Sequence, residues 1–295
     1  FGSATLRATG DTTRPLYFLT FSGLVNVILN LVFVIKFKMS VDGVALATII
    51  SQYISAVLVV CSLVKNSGAC TLNIRQMCFD RKEFSEILRL GLPAAVQNSL
   101  FSLSNITIQS SINSFNNSLI VAGNSAASNI EGFVYLASNS VYHAVMTFIG
   151  QNFGARKKER ILPILKIGLL LAVLFNVLLG TITLVFAKEL VSIYTNKPEA
   201  IARGVERLMI IVSTYSLCGV MEVSSGALRG LGHSLLPMIT TTLGACGFRM
   251  LWVFTVFSHY RTLPILFASY PISWVLVLTA NFICFSYVFK KVKNT

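Results

Sequence analysis

The sequence predicts an all-α polytopic membrane protein, and three observations carry that prediction. Apolar runs of about 20 or more residues, the length needed to cross a ~30 Å hydrocarbon core, recur eight times along the chain. No period-two alternation extends far enough to build a barrel, whereas helices satisfy their own backbone polar groups in lipid. Hydrophobic residues make up 54% of the chain, charged ones only 12%, and the mean hydropathy is +0.72, so water is not the main solvent.

In chain order the predicted spans cover residues 15–37, 41–64, 90–115, 118–149, 161–187, 201–228, 235–257 and 263–289. Lys and Arg gather in alternate connections: before the first span, between the second and third, along 156–166, at Arg229, and after the last span. Those connections hold sixteen basic residues; seven, among them Arg203 and Arg207, fall at the opposite loops and helix ends. The positive-inside rule then places the basic side and the C-terminus in the cytoplasm of a multi-pass cell-membrane protein. The same distribution explains the net charge of +13 without nucleic acid. Six cysteines show no C-x-x-C pair and no His at metal spacing, so packing is their expected role and no metal or cofactor is expected. Arg7, Asp11 and Arg14 interrupt any signal-peptide apolar region near the start.

Two stretches repeat. Leu6, Arg7, Gly10 and Pro15 align with Leu228, Arg229, Gly232 and Pro237 at a constant offset of 222, and the same offset aligns 45–51 with 267–273. Shared register across a turn and two spans indicates an internal duplication. Six spans lie between the turns, so the repeat unit is six helices in parallel orientation. By that logic about four helices of the first unit precede residue 1, and the chain divides into 1–65 (the end of an N-lobe, helices five and six), 66–86 (a cytoplasmic connector) and 87–295 (a complete C-lobe, helices seven to twelve). Gly10 and Gly232 permit backbone angles closed to other residues, and Pro15 and Pro237 suit the first turn of a helix. Arg7 and Arg229 are expected to meet the last carbonyls of the helix before. A phosphate-binding loop would need motif contexts that are not present.

Polar residues inside the spans mark the candidate site. The third span carries Gln97, Asn98, Asn105 and Gln109 at spacings of four, seven and eight, so two adjacent stripes share one face that cannot all point at lipid. Interhelical hydrogen bonding and a water-filled cavity both satisfy such a face, and the number of amides favours the cavity. Glu131 in the fourth span lies about 18 Å from the outer end, where a carboxylate must be protonated, paired, cation-bound or in water. Arg249, at nearly the same depth, is its expected partner. Glu222 is about 10 Å from the basic side and either reaches water or pairs with Arg229. His143 is a packing residue or, less readily, a proton relay. No H-E-x-x-H, no G-x-S-x-G and no near pair of membrane carboxylates supports an enzyme.

The stretches "LRATGDTTRPL", "GVALATIISQ", "LRLGLPAAVQNSLFSLSN", "SNIEGF", "FIGQNFGARKKER", "SSGALRGLGHSLLPM" and "SYPISW" occur in this order over nearly the whole chain. In that order they resemble the multidrug and toxic compound extrusion (MATE) family of efflux transporters. The resemblance implies a V-shaped antiporter of two six-helix lobes. It would export small amphipathic organic cations and drugs in exchange for Na+ or H+, and is expected to work as a monomer in the bilayer. Glu131, Arg249 and Glu222 become candidates for ion coupling, and Gln97, Asn98, Asn105, Gln109 and Asn129 for the substrate cavity. Asn30 stands where many relatives carry an acid, so no N-lobe proton site transfers to that position. A lipid-linked sugar flippase of the same superfamily would need a more cationic cavity than Arg249 alone provides. A channel would need polar stripes on several spans.

Overall fold

The computed structural model describes residues 2–65, 71–73 and 78–294, and every regular element among them is helical. The chain forms two compact units, Phe1–Asp80 and Arg81–Thr295. The connector expected over 66–86 lies partly outside the described residues, as do Cys70 and Arg75.

The first unit contains α1 (Gly2–Ala8), α2 (Thr13–Leu31, continued by a π-helical turn Val32–Lys36) and α3 (Val41–Lys65). Along α3 the buried residues Gly43, Ala47, Ser51, Ser55, Val59 and Leu63 recur every four positions, a stripe of mostly small side chains that lets α2 approach closely. Asn26 on α2 donates to Ser51 Oγ (3.3 Å), and Asn30 donates back to Asn26 (3.1 Å). Leu6, Val59 and Leu63 form the small core. Phe21, Ile28 and Tyr53 are exposed on the outside, as lipid-facing helices require.

The second unit begins with two long helices, α4 (Arg81–Asn113) and α5 (Ser118–Gly154). The Asn117 side chain starts α5 by accepting the Leu119 N–H at 2.9 Å, satisfying one of the orphan donors of the first turn. Then come α6 (Ile161–Val185), the short α7 (Ala187–Ser192) and α8 (Pro198–Ile211), which starts on a proline. A 3₁₀ turn joins α8 to α9 (Tyr215–Gly230). Next, α10 (Leu235–Thr241) and α11 (Phe248–Trp252) are separated by a π-helical segment Thr242–Gly247, and a second one, Val253–Phe257, comes after α11. The last helix is α12 (Leu263–Asn294). α5 is the central element, packed by α6, α8 and α9, while α12 covers α8 and α9. Ile130, Val134, Leu208, Tyr215, Phe267 and Trp274 belong to one core cluster, and Val145, Ile149, Leu165, Val223 and Leu228 to another.

Six segments are long and apolar enough to cross a membrane: Thr13–Lys36, Val41–Lys65, Lys158–Val185, Pro198–Gly230, Leu235–Phe257 and Leu263–Lys293. The other two predicted spans fall on α4 and α5, 33 and 37 residues long, whose serines and amides dilute their apolar character. The fourth of these starts at Pro198, three residues before the predicted span 201–228, and Arg203 and Arg207, expected near a helix end, lie within α8. Among the five described cysteines, Cys218 and Cys246 are buried in the expected packing role, whereas Cys61 and Cys78 are exposed.

The duplicated turn has one local geometry in both units. Gly10 N–H donates to Arg7 O (2.9 Å) and Asp11 N–H to Leu6 O (3.1 Å); Gly232 N–H donates to Arg229 O (2.9 Å) and His233 N–H to Leu228 O (3.0 Å). This is the Schellman end of a helix, with glycine in the left-handed region at φ +93° and +82° and a fully buried leucine three residues before the cap. Pro15 and Pro237 are each the third residue of the next helix.

Candidate functional site

A cavity of about 770 Å³ in the second unit is walled by α4, α5, α8, α9, α11 and α12. Its polar lining comes from Gln97, Asn98, Ser102, Asn105 and Gln109 on α4 and Ser128, Asn139 and His143 on α5, and its aromatic lining from Phe101, Tyr135, Tyr142, Tyr215, Tyr270 and Trp274. Five charged side chains complete it: Glu131, Glu222, Arg207, Arg229 and Arg249. Asn129 is not in the wall; it is exposed and donates to Ser125 O on its own helix at 3.0 Å.

Glu131 is buried, and its partner is Arg207, not the expected Arg249. Arg207 Nε donates to Glu131 Oε1 at 2.7 Å and Nη2 to Oε2 at 2.8 Å, a two-point fork that occupies both carboxylate oxygens. The third guanidinium nitrogen donates to Asn124 Oδ1, Asn124 Nδ2 donates to Gln109 Oε1 (3.0 Å), and Gln109 Nε2 to Asn113 Oδ1 (3.1 Å). This network ties α8 to α5 and α4. It is possible because α5 and α8 touch through Gly123 and Gly204. A Cβ on Gly123 would collide with the backbone of α8, and one on Gly204 would stand 2.9 Å from Val191 Cγ1 and 3.0 Å from Gly123 O. Arg207 was missed in the sequence because it comes soon after the connection between two predicted spans. Its spacing from Ala200, Gly204, Leu208 and Ile211 on the buried face of α8 was the signal that could have found it.

Arg229 also departs from expectation. Its guanidinium does not cap its own helix but reaches across to Gln97 Oε1 on α4 (2.7 Å) and to the Tyr142 hydroxyl on α5. Arg7, its counterpart in the repeat, makes no side-chain hydrogen bond among the described residues. Glu222 lines the cavity, half-buried, and forms no ion pair with Arg229 or any other described residue.

Arg249 is 1% exposed. It lies on α11 between the two π-helical segments, and such wide turns rotate the next residues out of regular register. Its Nε donates to Ser273 Oγ at 3.0 Å, while Nη1 and Nη2 find no acceptor. The guanidinium carbon is 4.2 Å from the Tyr270 ring centre and 5.3 Å from that of Phe101. The expectation of Arg249 as the single intramembrane cation is therefore corrected: three arginines face two glutamates in this wall.

The family model of MatE matches residues 93–255. The chain is 29% identical over 271 residues to a probable multidrug resistance protein NorM of Thermotoga maritima, covering 88% of this chain and 56% of that protein. It is 27% identical over 299 residues to a probable multidrug resistance protein YoeA of Bacillus subtilis, covering 98% and 64%. The fold is similar to an outward-facing multidrug resistance MATE family transporter of the MOP superfamily, with TM-score 0.89 at 20% identity, over 100% of this chain and 66% of that one. The chain thus spans about half to two thirds of the length of these proteins.

Proposed function

The chain belongs to the MatE family, and from that premise we propose that it is the greater part of a secondary antiporter that exports amphipathic organic compounds, organic cations among them, in exchange for Na+ or H+. The observation that supports this reading is Glu222: a carboxylate at membrane depth, open to the cavity and bound to no arginine. Glu131 does not offer the same chemistry, because Arg207 holds both its oxygens. An entering Na+ or proton and a departing organic ammonium are mutually exclusive occupants of one carboxylate, which is the minimum that exchange requires. The amides of α4 and the ring faces around them bind the neutral and apolar parts of a substrate. We further propose that the basic ends face the cytoplasm and that 87–295 acts as one lobe of the transporter.

The test is transport by the full-length protein in proteoliposomes under separate Na+ and H+ gradients. Glu222→Gln keeps the shape and removes the charge. It is expected to cut gradient-driven efflux of an organic cation at least tenfold while leaving passive equilibration unchanged. Wild-type efflux in that variant would move the coupling site elsewhere.

A further inference from the structure

We propose that the cavity contains an anion subsite at Arg249, so that amphipathic acids and zwitterions carrying a carboxylate or similar group belong to its substrate class. This rests on the transport reading above and adds to it the recognition of negative charge.

Four observations carry it. The first is the unused donor capacity of Arg249: a guanidinium has five N–H donors, and only Nε has an acceptor. Leaving a buried charged donor unsatisfied is costly, and a side chain kept in that state at membrane depth is suited to a partner that comes and goes. The second is that no carboxylate among the described residues pairs with it. Glu131 is fully engaged by Arg207, and Glu222 forms no ion pair with any described residue. The third is the charge of the wall, where three arginines against two glutamates leave one positive charge in excess, and occupation of Glu222 by the coupling cation raises that excess.

The fourth is the aromatic setting. Tyr270 and Phe101 stand over the guanidinium at 4.2 and 5.3 Å, an arrangement that stabilises the cation while its N–H bonds, which lie in the plane of the group, point past the rings. Tyr270 belongs to α12 near Ser273, which fixes Nε, so this side is rigid. Phe101 is half-buried on α4 and lines the cavity, so its ring is the shutter. Rotation of Phe101 exposes the Nη1 and Nη2 edge to a bound carboxylate, which that edge recognises by two parallel hydrogen bonds. The aromatic body of the same ligand then stacks among the cavity's rings.

Three compounds of one scaffold test this: 1-naphthoate, 1-naphthamide and 1-naphthylmethylammonium, each measured by equilibrium dialysis against the full-length protein. Naphthoate is expected to bind at least tenfold more tightly than the isosteric amide. Arg249→Met is expected to remove that preference while leaving amide affinity within twofold. Phe101→Ala, which keeps Arg249, is expected to tighten naphthoate several-fold relative to the amide. It decides the matter if the Arg249 variant does not fold. Equal binding of acid and amide, or equal effects of Phe101→Ala on all three compounds, overturns the subsite. Antiport is judged separately: if naphthoate prefers the wild type but neither ion gradient moves any of the three compounds, the transport reading fails and the subsite stands.

Discussion

Arg207 grips both oxygens of Glu131 across 76 residues of sequence, with side chains only 6% and 10% exposed. Such a pair is expensive to break and cheap to replace. Removing one partner leaves an uncompensated buried charge, whereas exchanging both for apolar groups of similar volume is often neutral. Glu131→Gln is therefore expected to cost about 3–5 kcal/mol, and the double change Glu131→Met with Arg207→Met to recover most of it. Thermal unfolding of purified protein in detergent measures both. Unchanged stability of Glu131→Gln would show that the fork does no structural work.

The fork depends on a close helix contact. Gly123 meets backbone atoms of Ala200 and Gly204, which cannot rotate away, while Gly204 meets the Val191 side chain, which can, together with Gly123 O at 3.0 Å. Gly123→Ala is expected to cost about 1–3 kcal/mol, the usual range for overpacking, and Gly204→Ala less. A reversed order in unfolding experiments would mean that α5 and α8 part without resistance from their backbones.

The all-helical, membrane-spanning class was legible in the sequence because each apolar run has to be about a span long, and the duplicated turn was legible because glycine and proline each have a geometric reason for their place. The polar face of α4 could be read from its spacing, and four of its amides do line the cavity. Partnerships could not be read. Depth alone matched Glu131 with Arg249, but depth ignores azimuth: Arg207 lies on the face of α8 that Gly123 and Gly204 bring against α5, and two π-helical segments set the register around Arg249. Arg229 was assigned to its own helix end because the turn motif is local, whereas its acceptors are 87 and 132 residues away.

Those distant acceptors make Arg229 a tie between α9, α5 and α4. Tyr142→Phe removes one of them without changing volume and is expected to destabilise by about 1.5–3 kcal/mol, the range for a hydrogen bond to a charged group. Gln97→Leu removes the other and is expected to raise amide hydrogen exchange in α4 more than in α5. Equal protection of α4 in variant and wild type would show that other contacts hold it.

The Schellman turn offers a test free of packing effects. A Cβ added at Gly10 or Gly232 would meet no atom within 4 Å, so the cost of substitution is the left-handed backbone itself. For an ordinary L-residue that cost is about 1–2 kcal/mol, and for Asn, whose short polar side chain tolerates this region, it is smaller. Gly232→Ala is thus expected to lower stability by about 1–2 kcal/mol and Gly232→Asn by a smaller amount, with the same order at Gly10. The substitution also strains the helix end that holds Arg229 against Gln97, so Gly232→Ala is expected to weaken protection of α4 in the same direction as Gln97→Leu. If alanine and asparagine prove equally tolerated at both positions, the turn relaxes out of the left-handed conformation at no cost, and its repetition in the two units has a cause other than backbone geometry.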